Sequence, residues 1–290
     1  MFRFNAFLRE EQEMFEDAEF LLEKLITFGG KAYPRFGNIV FMAGGAGSGK
    51  GFVLSNLVGI EGKTLDVDEL KTLASRAPSI RARVKKELGV DLADLAANLK
   101  NPENVGKLHG IMGDYLQLDD RKQKALFTSV LSQPADKKPN IIFDTTLKDL
   151  QKLEKLTRQA AELGYDKKNI HIVWVVNDIE VAKAQNLKRS RTVPTEILVN
   201  THRGAANTLA DVINMGAGLK KYMDGDIVFA FNKVGVDANL VKGQKGGSYV
   251  KDANYFYVKR QGKAPTSVDK LDRDIRAKIA SYVPKNVDWN

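Results

Sequence analysis

The chain has 290 residues, 43% of them hydrophobic, which suffices for the core of a large α/β domain and excludes the disordered class. It has no cysteine and three scattered histidines, His109, His171 and His202, which excludes disulfides and thiolate metal sites. No apolar run reaches the length of a membrane span, and the acidic first twenty residues are unlike a secretory signal, so a cytoplasmic protein is expected. Of the net charge of +9, residues 233–290 hold +6, from twelve Lys/Arg against six Asp/Glu. That basic stretch is a candidate polyanion contact, the alternative being a solvated basic surface.

In chain order, Met1 to Thr27 spaces Phe4, Phe7, Phe15, Ala18, Leu22 and Leu25 for an amphipathic helix packed on the domain. Ile39, Val40, Phe41 and Met42 then form an unbroken apolar run, as in a strand buried on both faces of a parallel sheet. Gly44 to Gly51 fits G-x-x-x-x-G-K, a loop whose amides surround phosphate while the lysine reaches the β- and γ-phosphates. The nucleotide-binding candidates are therefore Gly44, Gly45, Ala46, Gly47, Ser48, Gly49, Lys50, Gly51 and Phe52. Gly51 and Phe52 stand where a hydroxyl usually touches Mg²⁺, so magnesium is expected on phosphates, waters and carboxylates from elsewhere. The loop resembles that of adenylate-kinase-type enzymes, where a glycine also follows the lysine.

A helix starts at Gly51, and Lys63 to Asp66 reads as a second strand that delivers Asp66 and Asp68 beside the phosphate loop. The alternative for Asp66 is a helix cap. Leu70 to Val130 is largely helical, with Leu88, Leu92, Leu95 and Leu99 at spacings of four and three, and reads as the cover on the acceptor side. Asn140 to Asp144 is a third buried strand ending on Asp144, Thr145 and Thr146. A helix with Leu150, Leu153, Leu156, Ala160 and Leu163 on one face follows and stops at Gly164, before a fourth strand from Ile170 to Val176. Lys188 to Pro194, KRSRTVP, is a basic stretch between two helices, suited to a transferring phosphoryl group or simply to a helix dipole. Gly225 to Val236 holds a fifth strand, Tyr249 to Val258 a β-like run, and Ser267 to Tyr282 a final helix.

Four of these stretches together, between Asn38 and Leu209, resemble the zeta-toxin family of P-loop kinases and, more distantly, the polynucleotide kinases. LDVDELK resembles the family's strand-end D-x-D, which implies Asp68 as general base with Asp66 beside it, assigned to the metal. IIFDTTLKDL implies substrate-facing roles for Asp144, Thr146 and Lys148, and NLKRSRTVPTEIL implies γ-phosphate contacts from Arg191 and Arg189. The resemblance implies ATP and Mg²⁺ as cofactors and a hydroxyl as acceptor. MFRFNAFLRE also resembles the starts of tailed-phage proteins, with Leu8-Arg9-Glu10 like a prohead-protease signal, which implies a phage protein acting in the host cytoplasm or packaged in the virion.

The expected architecture is a doubly wound parallel five-stranded sheet of the P-loop kinase type, divided as a 1–30 helix, a 31–236 kinase domain and a 237–290 basic α+β appendage. The expected activity is γ-phosphate transfer from ATP, leaning to a nucleic-acid hydroxyl in DNA or RNA, because Tyr249, Tyr255, Phe256 and Tyr257 interleave with the basic residues. The alternatives are a nucleotide-sugar kinase and an inactive nucleotide-binding protein.

Overall fold

In the computed structural model, residues 26–32, 34–65, 67–189, 191–231, 238–242, 248–253 and 255–280 are described, without the side chains of 67–70, 119, 238–242, 248–253 and 275–280. Residues 1–25 of the proposed N-terminal helix, the protease-like signal and Asp66 lie outside those residues, as does the side chain of Asp68; the end of the 1–30 segment is not helical, Ile26 bridging to Val58 and Gly29 and Gly30 forming a turn.

The five anticipated strands are β1 (Ile39–Ala43), β2 (Lys63–Leu65), β3 (Ile141–Asp144), β4 (Ile170–Val176) and β5 (Ile227–Phe231). They form one parallel sheet in the order β2-β3-β1-β4-β5. The chain winds out from β1 in both directions, so the switch in winding lies at β1, and the crevice above its carboxyl end is where such a sheet binds ligands.

Alternation along each strand sorts the side chains into two cores. Ile39, Phe41, Ile141, Phe143, Ile172, Trp174, Ile227 and Phe229 face helices α7 (Leu150–Glu162) and α9 (Thr195–Asn214). Within this core Phe41 pairs with Phe143 and the rings stack at 5.0 Å. Val40, Met42, Ile142, Val173, Val175 and Val228 face α1 (Lys50–Asn56) together with Ile26 and Phe28.

Between β2 and β3 lie α2 (Val67–Arg76), α3 (Pro78–Leu88), α4 (Leu92–Ala97), α5 (Pro102–Gly110), a π-helical turn (Ile111–Tyr115) and α6 (Leu118–Leu131). These largely helical residues share a separate small core built on Val84, Leu92, Leu95, Leu108 and Met112. The leucine spacing read from the sequence is not one helix: Gly89, at φ 68°, ends α3, so Leu88 is exposed while Leu92 and Leu95 are buried on α4. That left-handed backbone is readily adopted by glycine.

The sheet has a sixth strand. After a separate hairpin of β6 (Ala238–Lys242) and β7 (Ser248–Ala253), β8 (Tyr255–Lys259) pairs antiparallel with β5, and α10 (Val268–Ala280) follows. The segment expected as an appendage from residue 237 thus contributes an edge strand to the main sheet. The reason is packing: Phe256 lies 5.3 Å from Phe229 and 5.8 Å from Phe231, and the Tyr257 hydroxyl donates to Thr27 O at 2.9 Å. Lys259 is buried, its ammonium donating to Asp224 Oδ1 at 2.9 Å and to three backbone carbonyls. Among the described residues no helix is long and apolar enough to cross a membrane.

At the amino end of the strands, His171 and Asp226 are fully buried. His171 Nδ1 accepts from Asp226 N–H at 2.9 Å, and Nε2 faces Asn38 Oδ1 at 3.3 Å, whose own amide nitrogen donates to Phe36 O and Asn140 Oδ1. This pattern assigns the neutral Nε2–H tautomer. Burial holds the His171 pKa below its usual value, opposed by the neighbouring Asp226.

Candidate active site

β1 runs into the glycine loop, and the loop into α1. Gly47 and Gly49 have φ of 75° and 89°, a region that L-residues enter at a cost. Gly49 is the N-cap of α1 and brings no capping side chain, so amides of the first turn face the loop's concavity. Lys50 folds into the same concavity, its ammonium donating to Gly44 O at 3.0 Å and Gly45 O at 3.2 Å.

The loop forms one wall of a cavity of about 410 Å³. Ala46, Gly47, Gly49, Lys50 and Gly51 line it together with Asp144, Thr145 and Thr146 from the carboxyl end of β3. The opposite wall comes from α8 (Ile179–Lys188) and the segment after it, through Gln185, Arg189 and Val193. α8 is fixed at its start by Asp178, whose carboxylate accepts from Glu180 N–H and Val181 N–H. Beyond α8, Asn186 accepts from Val193 N–H at 2.9 Å and donates to Val193 O at 2.7 Å, which closes the basic stretch into a tight loop.

Most residues singled out from the sequence therefore meet: the phosphate loop, Lys50, Asp144, Thr146 and Arg189 surround one cavity at the switch point. Gly44, Gly45 and Ser48 are buried beneath the loop, and Phe52 packs into the core under the sheet, so these four shape the loop without lining the cavity. Arg191 lines a second cavity. Lys148 is exposed and is absent from the lining of both cavities; Leu147 before it turns through φ 48° and is buried, and Lys148 packs with its Cβ and backbone against Gly204 of α9. Asp68 is the second residue of α2, directly after the end of β2.

Sequence reasoning missed Thr201 and His202, neighbours on α9. Thr201 Oγ1 accepts from Ala46 N–H at 3.1 Å, and His202 Nε2 donates to Ala46 O at 2.8 Å, so both polar groups of one loop residue are held from α9. The His202 ring occupies the space a Cβ on Gly45 would need. Burial lowers the His202 pKa; the hydrogen bond to Ala46 O opposes this, and the Lys50 ammonium adds to it. The ring is thus neutral at pH 7. No spacing in the sequence links residues 46 and 202, so only the folded chain shows the pairing.

For Mg²⁺, Asp144 with the Thr145 and Thr146 hydroxyls supplies hard oxygen donors in the cavity. Among the described residues no group of three His, Cys, Asp or Glu could hold a metal. One carboxylate fits Mg²⁺, which keeps several waters and takes its remaining ligands from phosphates.

A parallel sheet in the order 2-3-1-4-5, with a glycine loop and lysine joining its central strand to a helix, defines a P-loop α/β protein. The zeta toxin family model matches residues 114–228, and over that stretch the chain is similar to the zeta toxin family. No curated protein matches it. Among solved structures, the AvrRxo1-ORF1:-ORF2 complex with ATP is 11% identical, covering 89% of this chain and 67% of that one, with a TM-score of 0.47. The PezAT toxin-antitoxin system of Streptococcus pneumoniae is 15% identical over 69% of each chain, with a TM-score of 0.38. TT1252 from Thermus thermophilus is 15% identical over 86% of this chain and all of that one, with a TM-score of 0.31.

Proposed function

We propose that the chain is an ATP-dependent kinase of the zeta-toxin type that transfers the γ-phosphate to a hydroxyl of a small acceptor. The observation that carries this reading is the convergence of Lys50, Arg189, Asp144 and Thr146 on the one cavity that the phosphate loop opens into. The loop amides and Lys50 hold the β- and γ-phosphates, and Arg189 faces them from the other wall. Its planar guanidinium suits charge that spreads over the transferring oxygens. Asp144 and the threonine hydroxyls are placed to take Mg²⁺, which when bound neutralises phosphate charge; Asp66 is a second candidate for that role. Asp68, at the start of α2, accepts the proton of the acceptor hydroxyl. A weak base suffices because positioning and charge stabilisation supply most of the acceleration in a loose transition state.

A polynucleotide acceptor would need exposed aromatic groups beside basic ones; in the described part of the basic C-terminal stretch Arg260, Lys263, Lys270 and Arg273 are exposed, but Tyr255, Phe256 and Tyr257 are partly buried. Phe256 and Tyr257 pack on β5 and Thr27, and Lys259 is buried. The Arg260 guanidinium lies 3.3 Å over the Tyr257 ring, which takes up one face of that ring. A small acceptor, as in the nucleotide-sugar alternative, fits better. Transfer from γ-labelled ATP across a panel of nucleotide sugars, dinucleotides, nucleosides, DNA and RNA tests it. Labelling of DNA or RNA alone would reverse the acceptor assignment, and no labelling with intact ATP binding would favour an inactive nucleotide-binding protein.

A further inference from the structure

Among the described residues, the only hydroxyls that line the first cavity are those of Thr145 and Thr146. The two are not equivalent. Thr145 N–H donates to Met42 O at 3.1 Å, and Thr145 Oγ1 accepts from Leu147 N–H at 3.3 Å, so this side chain closes a local turn. Thr146 is fixed through its backbone, its carbonyl accepting from Gly44 N–H at 3.4 Å, and its hydroxyl has no hydrogen-bond partner among the described residues.

The turn that presents Thr146 is strained. Leu147 has φ 48° although it carries a side chain, and it is only 1% exposed. A residue other than glycine enters this region at a cost and stays there only where its surroundings hold it, a situation concentrated at functional sites. With Leu147 turned into the core and Thr145 bonded back onto the turn, the hydroxyl of Thr146 is the one left to meet a ligand.

Gly51, in the first turn of α1, lines the same cavity, and a Cβ built on it would meet nothing within 4 Å. Space does not demand glycine there, and the backbone is not left-handed at that position. Mg²⁺ requires near-octahedral oxygen ligands, and in a phosphate-loop enzyme one of them is commonly a Ser or Thr hydroxyl that follows the lysine. Here that place is empty of side chain.

We propose that β3 supplies the metal contact that the phosphate loop lacks: Thr146 Oγ1 is the hydroxyl ligand of the nucleotide-bound Mg²⁺, and Thr145 is the positioning residue that closes the turn behind it. The contact has moved from the loop to the strand beside it, and the β1–β3 register, with Met42 opposite Asp144, keeps both at one site. The inference rests on the nucleotide site of the kinase reading and not on the transfer step.

The test is calorimetric titration of a non-hydrolysable ATP analogue into the full-length protein over a series of Mg²⁺ concentrations, so no turnover is needed. The Mg²⁺ concentration that gives half of the full gain in analogue affinity is expected to rise about tenfold in Thr146→Val, which keeps the branched shape and removes the hydroxyl. Thr146→Ser should stay near the native value. Gly51→Ser added to Thr146→Val places a hydroxyl in the open space of the loop and should recover most of the loss; recovery by a different residue cannot come from repaired folding. Thr145→Val should raise the requirement less than Thr146→Val does, and Thr145→Ser should restore it. An unchanged requirement in Thr146→Val, a loss that Gly51→Ser does not recover, or a larger loss in Thr145→Val overturns the assignment. So does an analogue that binds equally well without Mg²⁺. The expected metal series with no phosphoryl transfer to any acceptor defeats the kinase reading alone; transfer with a Mg²⁺ requirement indifferent to Thr146 defeats this inference alone.

Discussion

The His202 ring and the missing side chain of Gly45 occupy one space, and this makes their coupling measurable. A methyl placed on Gly45 falls within the ring, and both residues are held by backbone, Gly45 in the loop and His202 on α9. Gly45→Ala must displace the ring that donates to Ala46 O at 2.8 Å. Overpacking of this kind costs about 1–3 kcal/mol, and the displaced hydrogen bond about 0.5–1.5 kcal/mol more. His202→Ala loses the same hydrogen bond and leaves a void, for a total of about 1–3 kcal/mol. In the double variant the new methyl enters space the ring has vacated, so the overpacking vanishes and the hydrogen bond is lost only once. The double variant should therefore be more stable than the sum of the single effects by about 1.5–4.5 kcal/mol, the overpacking together with the hydrogen bond counted twice in that sum. Urea unfolding of the four proteins, read at constant m-value, gives the coupling. A parallel titration with an ATP analogue should show nucleotide affinity reduced in both single variants, because Ala46 anchors the loop. If the two substitutions are additive to within about 0.5 kcal/mol, the ring does not hold the loop as described.

Lys50→Ala should weaken ATP binding by about tenfold to a hundredfold with melting temperature and circular dichroism unchanged, since it removes a charge-assisted contact from a half-exposed loop; unchanged affinity would remove the loop from the nucleotide site. Asp68→Asn should lower turnover by at least about a hundredfold at unaltered ATP affinity, as a positioned proton acceptor requires, whereas Asp66→Asn should raise the Mg²⁺ concentration needed. Normal turnover in Asp68→Asn with a dead Asp66→Asn would exchange the two roles. Acid stability should follow the buried cluster. Burial keeps the His171 pKa below the unfolded value of about 6.5, so its contribution is complete above that pH and is lost as pH falls below it. For Asp226, burial raises the pKa but the His171 contact and the Gly29 and Gln261 amides outweigh it, so its contribution is lost only at more acidic pH. Melting temperature measured from pH 8 to pH 5 should fall in the native protein and fall less steeply in His171→Gln; equal slopes would show that His171 does not carry the effect.

Local signals were enough for the parallel sheet and for one wall of the site. An unbroken apolar run reads as a buried strand because a two-faced sheet leaves no side of it in water, and β1, β3 and β4 show no polar alternation for that reason. The glycine loop and Lys50 are legible because the groups of this wall come from consecutive residues. The sixth strand was not, since an antiparallel edge strand depends on which apolar surface remains uncovered, and Phe229 and Phe231 offered one to Phe256. Nor were the anchors on α9: Thr201 and His202 meet Ala46 across more than 150 residues, through the placement of α9 beside β1. The arginine pair shows the limit most clearly. Two residues apart, Arg189 and Arg191 read alike as phosphate ligands, and only the loop closed by Asn186 and Leu99 turns them towards different cavities. Charge is a property of the residue, whereas the partner it meets is set by backbone direction, which the tertiary contacts fix.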